Sequence, residues 1–402
     1  MTKSKKFGIF IYIFFLFFGP KIGTYLDTSI IASIIMIFVS AIRNDHKVKI
    51  PRYTRILVTS IIFILVYTVF VSLYNSYFDI TFYGRMIRSM FSVVSISVFL
   101  LDNKNADVDE LNGIIIWALL IHAAIVLVSS TVYINLQYML RSFNGYSKTI
   151  RMFRSTGLMM GFDMSGLLCN LGLVLVMCKK RLNFLQFAVF ALATLFTSRF
   201  SILFLVVIAL IYIIVNLRNS ESRGKKALLL GIGIPIAIFG IVLLIITTNS
   251  FYSARSGISS LFPRFYNLAL RVNRAYNVTE SIDFTGSRHF AITDDGFLAA
   301  FGTGVYGGAD PGYTRFINCI GIVGLVLVII WHIYAICKSI NINIINKRLK
   351  YNRAFIVFSI AMVLIGLNFK NSYFFTGSFF EFMMLQLFMF KFSNQYNETI
   401  IK

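Results

Sequence analysis

Of the 402 residues, 57% are hydrophobic and only 13% charged, where a soluble globular domain carries about a quarter charged residues. The composition excludes a water-soluble fold. The formal net charge of +22 would suggest a nucleic-acid partner in a soluble protein, but in a chain this apolar the positions of the charges matter more than their sum, and no nucleic-acid partner is expected. Cys169, Cys178, Cys319 and Cys337 fall inside or at the ends of apolar runs, so neither a disulfide framework nor a cysteine-rich metal site follows.

The apolar residues come in runs of roughly 16 to 23 bounded by charges, and crossing a hydrocarbon layer of ~30 Å takes about 20 helical residues. Lipid offers no partner for unpaired backbone groups, so helices are the expected spanning element. The predicted fold is an all-α polytopic membrane protein, residues 1–402 forming a single integral membrane domain. Its first run follows Lys3, Lys5 and Lys6 and ends at Gly19-Pro20-Lys21 with no small-residue cleavage site, which reads as a short span rather than a removable signal peptide. About twelve spans are predicted, near residues 7–19, 23–42, 56–74, 85–101, 112–130, 157–178, 184–198, 201–217, 227–246, 314–337, 354–369 and 377–392.

Alternating sides from a cytoplasmic N-terminus places the short basic loops, Arg43 to Arg55, Lys179 to Arg181, Arg218 to Lys226 and Lys338 to Arg353, inside, as the positive-inside rule demands. In this topology the inside holds 15 Lys and 8 Arg, the outer side and outer membrane edge 3 Lys and 12 Arg. Lysine suffices where only charge is needed; arginine suits bidentate capture of phosphate or carboxylate. A single outer arginine also fits simple snorkelling to lipid headgroups, whereas the set favours a polyanionic ligand.

Two outer loops stand out. One, residues 131–156, holds Arg141, Lys148, Arg151 and Arg154. The other, residues 247–313, far exceeds the usual connection length, and its Phe, Tyr, Leu and Gly content is too high for a disordered linker. Within it, near 258–276, Leu261, Phe265, Leu268, Val272 and Tyr276 share one helical face, and Arg264, Arg271 and Arg274 lie about 110° round. That pattern describes an interfacial helix able to hold a lipid-linked phosphate at headgroup depth, or a plain surface anchor.

Arg288 and His289 follow; His289 is the histidine expected in an outer loop, a candidate proton shuttle or a merely solvated side chain. Thr293-Asp294-Asp295 fits a helix cap better than a divalent-ion site. Gly302-Thr303-Gly304-Val305-Tyr306-Gly307 matches the dinucleotide fingerprint formally but lacks its βαβ setting; the glycines are read as a tight turn leading to Asp310, Gly312, Tyr313 and Arg315. Asp163, Glu381 and Arg199 sit within or near spans and default to functional hypotheses. Arg199, in a turn with almost no loop, fits either an anchor paired to one of those acids or a direct substrate contact.

Taken together, these segments resemble the Wzy-type O-antigen and capsular polysaccharide polymerases, which share their fold with the O-antigen ligases. The resemblance rests on Arg154-Ser155-Thr156-Gly157, Ser198-Arg199-Phe200-Ser201, Arg288, Gly302-Thr303-Gly304 followed by Asp310-Pro311-Gly312-Tyr313, and Gly321-Ile322-Val323-Gly324, across residues 150 to 337. It implies a GT-C-like glycosyltransferase in a bacterial inner (cytoplasmic) membrane, contributing to capsule or lipopolysaccharide. Its substrate would be an undecaprenyl-diphosphate-linked oligosaccharide, with a flippase and a chain-length regulator as partners beside membrane lipid. A sugar hydroxyl of one unit would attack C1 of the growing chain's reducing-end sugar and release undecaprenyl diphosphate.

Arginines can stabilise such a leaving group without metal or other cofactor. Arg154, Arg199, Arg264, Arg271 and Arg274, with Tyr313 and Arg315, are the candidate diphosphate and sugar contacts, and Arg288, His289, Asp310 and Glu381 the candidate catalytic residues, Asp294 being a further candidate base. A pair of evenly spaced Arg-x10-Gly repeats, described for some polymerases, is missing. Two rival readings remain: an O-antigen ligase, for which His289 would be required, and a flippase, whose site would sit near the bilayer midplane between repeated halves.

Overall fold

The structure is a computed structural model that describes residues 2–22, 26–45, 47–76, 78–103, 106–140, 153–179, 183–219, 300–304, 312–340, 368, 374–375 and 377–400. In chain order its helices are α1 (Lys3–Phe18), α2 (Thr28–Arg43), α3 (Arg52–Tyr74), α4 (Ile80–Asp102), α5 (Val108–Leu127), a π-helical turn (Val128–Val132), α6 (Leu136–Met139), α7 (Phe162–Met177), α8 (Phe184–Leu195), α9 (Arg199–Asn219), α10 (Gly312–Ile340) and α11 (Gly377–Ile400). The extended backbone among them is a two-residue pairing of Lys21–Ile22 with Leu26–Asp27 between α1 and α2. Among the described residues, Arg52–Tyr74, Phe82–Asp102, Val108–Val132 and Arg315–Ser339 are long and apolar enough to cross a membrane. The chain is a helical membrane protein.

The expected span 227–246 and all of 354–369 but residue 368 lie outside the described residues, as do nearly all of the expected long outer loop and most of the expected shorter one. Two described spans differ from expectation. Residues 157–161, read as the start of a span, are not helical; α7 begins at Phe162, capped by Gly161 in an extended conformation. The span expected over 314–337 is broken at Gly321, whose φ of 66° and ψ of −173° interrupt α10.

The chain divides into two compact units, Met1–Ser29 with Ala106–Phe262, and Ile30–Asn105 with Pro263–Lys402. In lipid the hydrophobic effect does not drive helices together, so close packing and hydrogen bonds must do so. The first unit is built round α7, which is buried on every side from Ser165 to Met177, the signature of a central helix. Asn170 on α7 donates from Nδ2 to the Ser201 carbonyl (2.9 Å) and accepts from Thr194 Oγ1 (3.3 Å), tying α7 to α8 and α9.

The second unit is stitched along α3 and α10. Tyr53 Oη donates to the Ala335 carbonyl (2.8 Å), Trp331 Nε1 to the Leu57 carbonyl (3.1 Å) and Tyr67 Oη to the Ile320 carbonyl (3.0 Å). Between its helices lies an aromatic cluster in which the Phe374 ring sits 5.2 Å from Phe316 and 4.9 Å from His332. Residues sixteen apart on a straight helix are separated by about 24 Å along the axis. One ring reaching both follows from the break at Gly321.

Candidate functional site

In the first unit the site forms at the end of α5. The π-turn widens the helix there, a distortion frequent at functional positions, and its carbonyls find partners off the helix: Gln137 Nε2 donates to Ser129 O (2.8 Å) and the Phe153 N–H to Ser130 O (3.1 Å). Gln137 Nε2 also donates to the Arg154 carbonyl (3.0 Å). The chain is thereby pinned where Arg154 begins the Arg-Ser-Thr-Gly motif.

Arg154 then meets the turn between α8 and α9. Its Nε donates to the Thr197 carbonyl (2.8 Å), the Ser155 N–H donates to the Phe196 carbonyl (2.9 Å), and the guanidinium lies over the Phe162 ring, 4.6 Å from its centre. Two motifs forty residues apart in sequence are neighbours in space. α9 opens with Ser198 as its cap, whose Oγ accepts from the Ser201 N–H (3.1 Å), and Arg199 is the first helical residue. A cation at the positive end of a helix is disfavoured unless an anion joins it. Asp163 lies in the first turn of α7, and the side chain of Arg199 is outside the described residues.

The second unit brings together a different set. Gly302 and Gly304 adopt positive φ, 88° and 79°, and turn the segment onto the break in α10. There the Thr303 N–H donates to Asn318 O (2.7 Å), the Gly304 N–H to Cys319 O (2.9 Å) and Tyr67 Oη to Ile320 O (3.0 Å). Three carbonyls that a continuous helix would have used are satisfied by distant residues, the condition under which broken helices persist in membranes. A Cβ on Gly302 would fall 2.7 Å from the Cys319 carbonyl, and one on Gly321 would fall on the Ala300 carbonyl. The glycine motif is therefore the partner of the helix break.

Glu381, 2% exposed, lies in the first turns of α11, where its Oε1 accepts from Arg88 Nη2 (3.0 Å), Arg88 Nε (3.3 Å) and Ser92 Oγ (3.1 Å). Its described cationic partner is thus Arg88, which the sequence reading passed over. Tyr313 packs on Phe374 (5.6 Å between ring centres), and its N–H donates to Asn368 O (3.2 Å). Burial raises the Tyr313 phenol above its ordinary range. Arg315 is half-buried two residues on. Arg264, Arg271, Arg274, Arg288, His289, Asp294 and Asp310 lie outside the described residues, as does the interfacial helix expected near 258–276.

Comparison with protein-family models, curated proteins and solved structures finds no match.

Proposed function

We propose that this chain is a polymerase that joins undecaprenyl-diphosphate-linked oligosaccharide repeat units into a surface polysaccharide, O-antigen or capsule, at the outer face of a bacterial cytoplasmic membrane. In this reading it has about twelve spans and a GT-C-like arrangement. The observation that carries it is the contact between Arg154-Ser155 and the Phe196–Arg199 turn in the first unit. Two segments that bear the resemblance to the polymerases meet there, one bringing an anchored guanidinium and the other a helix that starts on a second arginine. The Gly302–Gly304 segment and the helix break at Gly321, also part of the resemblance, meet in the same way in the second unit.

The chemistry requires a donor whose C1–O bond to diphosphate breaks as an acceptor hydroxyl attacks. The leaving diphosphate gains charge, which fixed guanidinium groups in a water-poor site stabilise strongly. Arg154, Arg199, Arg264 and Arg288 are the residues assigned to that task, with Arg271, Arg274, Tyr313 and Arg315 as further diphosphate and sugar contacts and the proton accepted by His289, Asp294, Asp310 or Glu381. The test is deletion of the chain followed by sizing of the cell's surface polysaccharide. A polymerase predicts single repeat units on the usual acceptor. Long chains left on undecaprenyl diphosphate would favour a ligase instead, and repeat units retained inside the cell a flippase.

A further inference from the structure

We propose that His122, in the middle of the apolar helix α5, is the positioning residue that sets the Arg154 turn in its ligand-binding form, an inference resting on the reading of Arg154 as a contact for the lipid diphosphate. His122 is fully buried. Its Nδ1 accepts the Leu158 N–H (3.2 Å), and its Nε2 lies 3.1 Å from Ser165 Oγ on α7. Because Nδ1 must be an acceptor, the proton sits on Nε2 and the Ser165 oxygen receives it. The ring is neutral, with both nitrogens committed.

The Leu158 N–H belongs to the non-helical stretch that continues from Arg154 to Gly161. Within it the Gly157 N–H donates to Ser155 Oγ (2.9 Å) and the Met159 N–H to Thr156 O (2.9 Å). Ser155 Oγ is 2.5 Å from Ser129 Oγ on the π-turn. Gly157 takes φ of 53°, and a Cβ there would lie 2.8 Å from His122 Cε1, so the turn rests directly on the imidazole edge. On the other side the ring stacks on Phe18 at 4.9 Å with 17° between planes. The imidazole is thus wedged between the end of α1, the turn and α7. It fixes the backbone four residues beyond Arg154, while Gln137 and Thr197 fix Arg154 itself.

Chemically the two nitrogens do different jobs, and amide side chains separate them. In His122→Asn the amide oxygen falls where Nδ1 was and keeps the bond to Leu158; in His122→Gln the amide falls where Nε2 was and keeps only Ser165. A purely space-filling role would favour neither. The test is binding of geranylgeranyl diphosphate, as a polyprenyl diphosphate probe, to the detergent-solubilised full chain, with thermal midpoints measured in parallel.

Arg154→Ala is expected to bind at least tenfold more weakly than wild type, His122→Gln at least tenfold more weakly, and His122→Asn within about threefold of wild type, while Asn and Gln show similar midpoints. His122→Gln binding as tightly as wild type, or Asn binding no better than Gln, would overturn the positioning role while Arg154→Ala still reports on the site. Undiminished binding by Arg154→Ala would remove the diphosphate contact, and the positioning role with it. If the Gln variant does not fold, Ser165→Ala provides the second comparison. It leaves the Leu158 bond intact, so it should keep wild-type affinity, and a tenfold loss there would overturn the assignment of the δ nitrogen as the positioning atom.

Discussion

The Arg88–Glu381 pair gives the sharpest prediction on stability. Three donor contacts of 3.0 to 3.3 Å converge on one oxygen of a carboxylate that is 2% exposed. Removing one member of a buried pair leaves the other charge uncompensated, at about 3–5 kcal/mol. Arg88→Met should therefore cost about that much, and Glu381→Leu the same. Glu381→Gln keeps the shape and an acceptor oxygen and loses charge alone, so about 1–2 kcal/mol is expected from the difference between charged and neutral hydrogen bonds. The double variant Arg88→Met, Glu381→Leu exchanges the pair for apolar bulk and should fall within about 2 kcal/mol of wild type, which implies a coupling of about 4 kcal/mol or more. Unfolding of the purified chain in mixed micelles measures the cycle. Additive losses would refute the pairing as the origin of the cost. Polysaccharide sizing on the same double variant adds a readout of role: recovery of both stability and polymer marks Glu381 as structural.

Gly302→Ala and Gly321→Ala should each cost about 1–3 kcal/mol or more, since both residues hold positive φ and a Cβ would strike the opposite strand of backbone; the thermal midpoint of either variant is the check. Tyr67→Phe removes a hydroxyl that donates to the carbonyls of Phe301 (3.2 Å) and Ile320 (3.0 Å), and a loss of about 1–3 kcal/mol in micelle unfolding is expected for stranding buried acceptors. Arg154→Lys keeps charge but loses the planar fork and the Nε donor to Thr197, so surface polymer should fall at least about tenfold with no matching loss of folded protein on a size-exclusion profile.

Apolar run length made most described helices legible, because the lipid requirement for about 20 helical residues acts locally. It failed where backbone conformation depends on distant partners. Residues 157–161 are apolar enough to read as helix, yet Gly157 and Gly161 bracket a turn whose Leu158 N–H goes to His122, just after Ser155 has bonded to Ser129 and Phe196. The Gly321 break was foreshadowed by the Gly321-Ile322-Val323-Gly324 step, but what stabilises it, the N–H groups of Thr303 and Gly304 and the hydroxyl of Tyr67, comes from elsewhere in the chain.

Arg88 and His122 were missed for a simpler reason. Ionisable residues within apolar runs are functional candidates by default, and Arg88 and His122 lie inside predicted spans just as Asp163 does. The spacing Arg88, Ser89, Ser92 on α4, with its buried serines, was the available signal for a polar helix face.

The most direct test is reconstitution: the purified full-length chain in proteoliposomes with a synthetic undecaprenyl-diphosphate-linked repeat unit as the only substrate. Chains of two and more repeats should appear, with undecaprenyl diphosphate released in equal number to the new linkages and both lost in Arg154→Ala. Movement of the intact lipid-linked unit across the bilayer, with no new linkage and no diphosphate released, would contradict the polymerase reading.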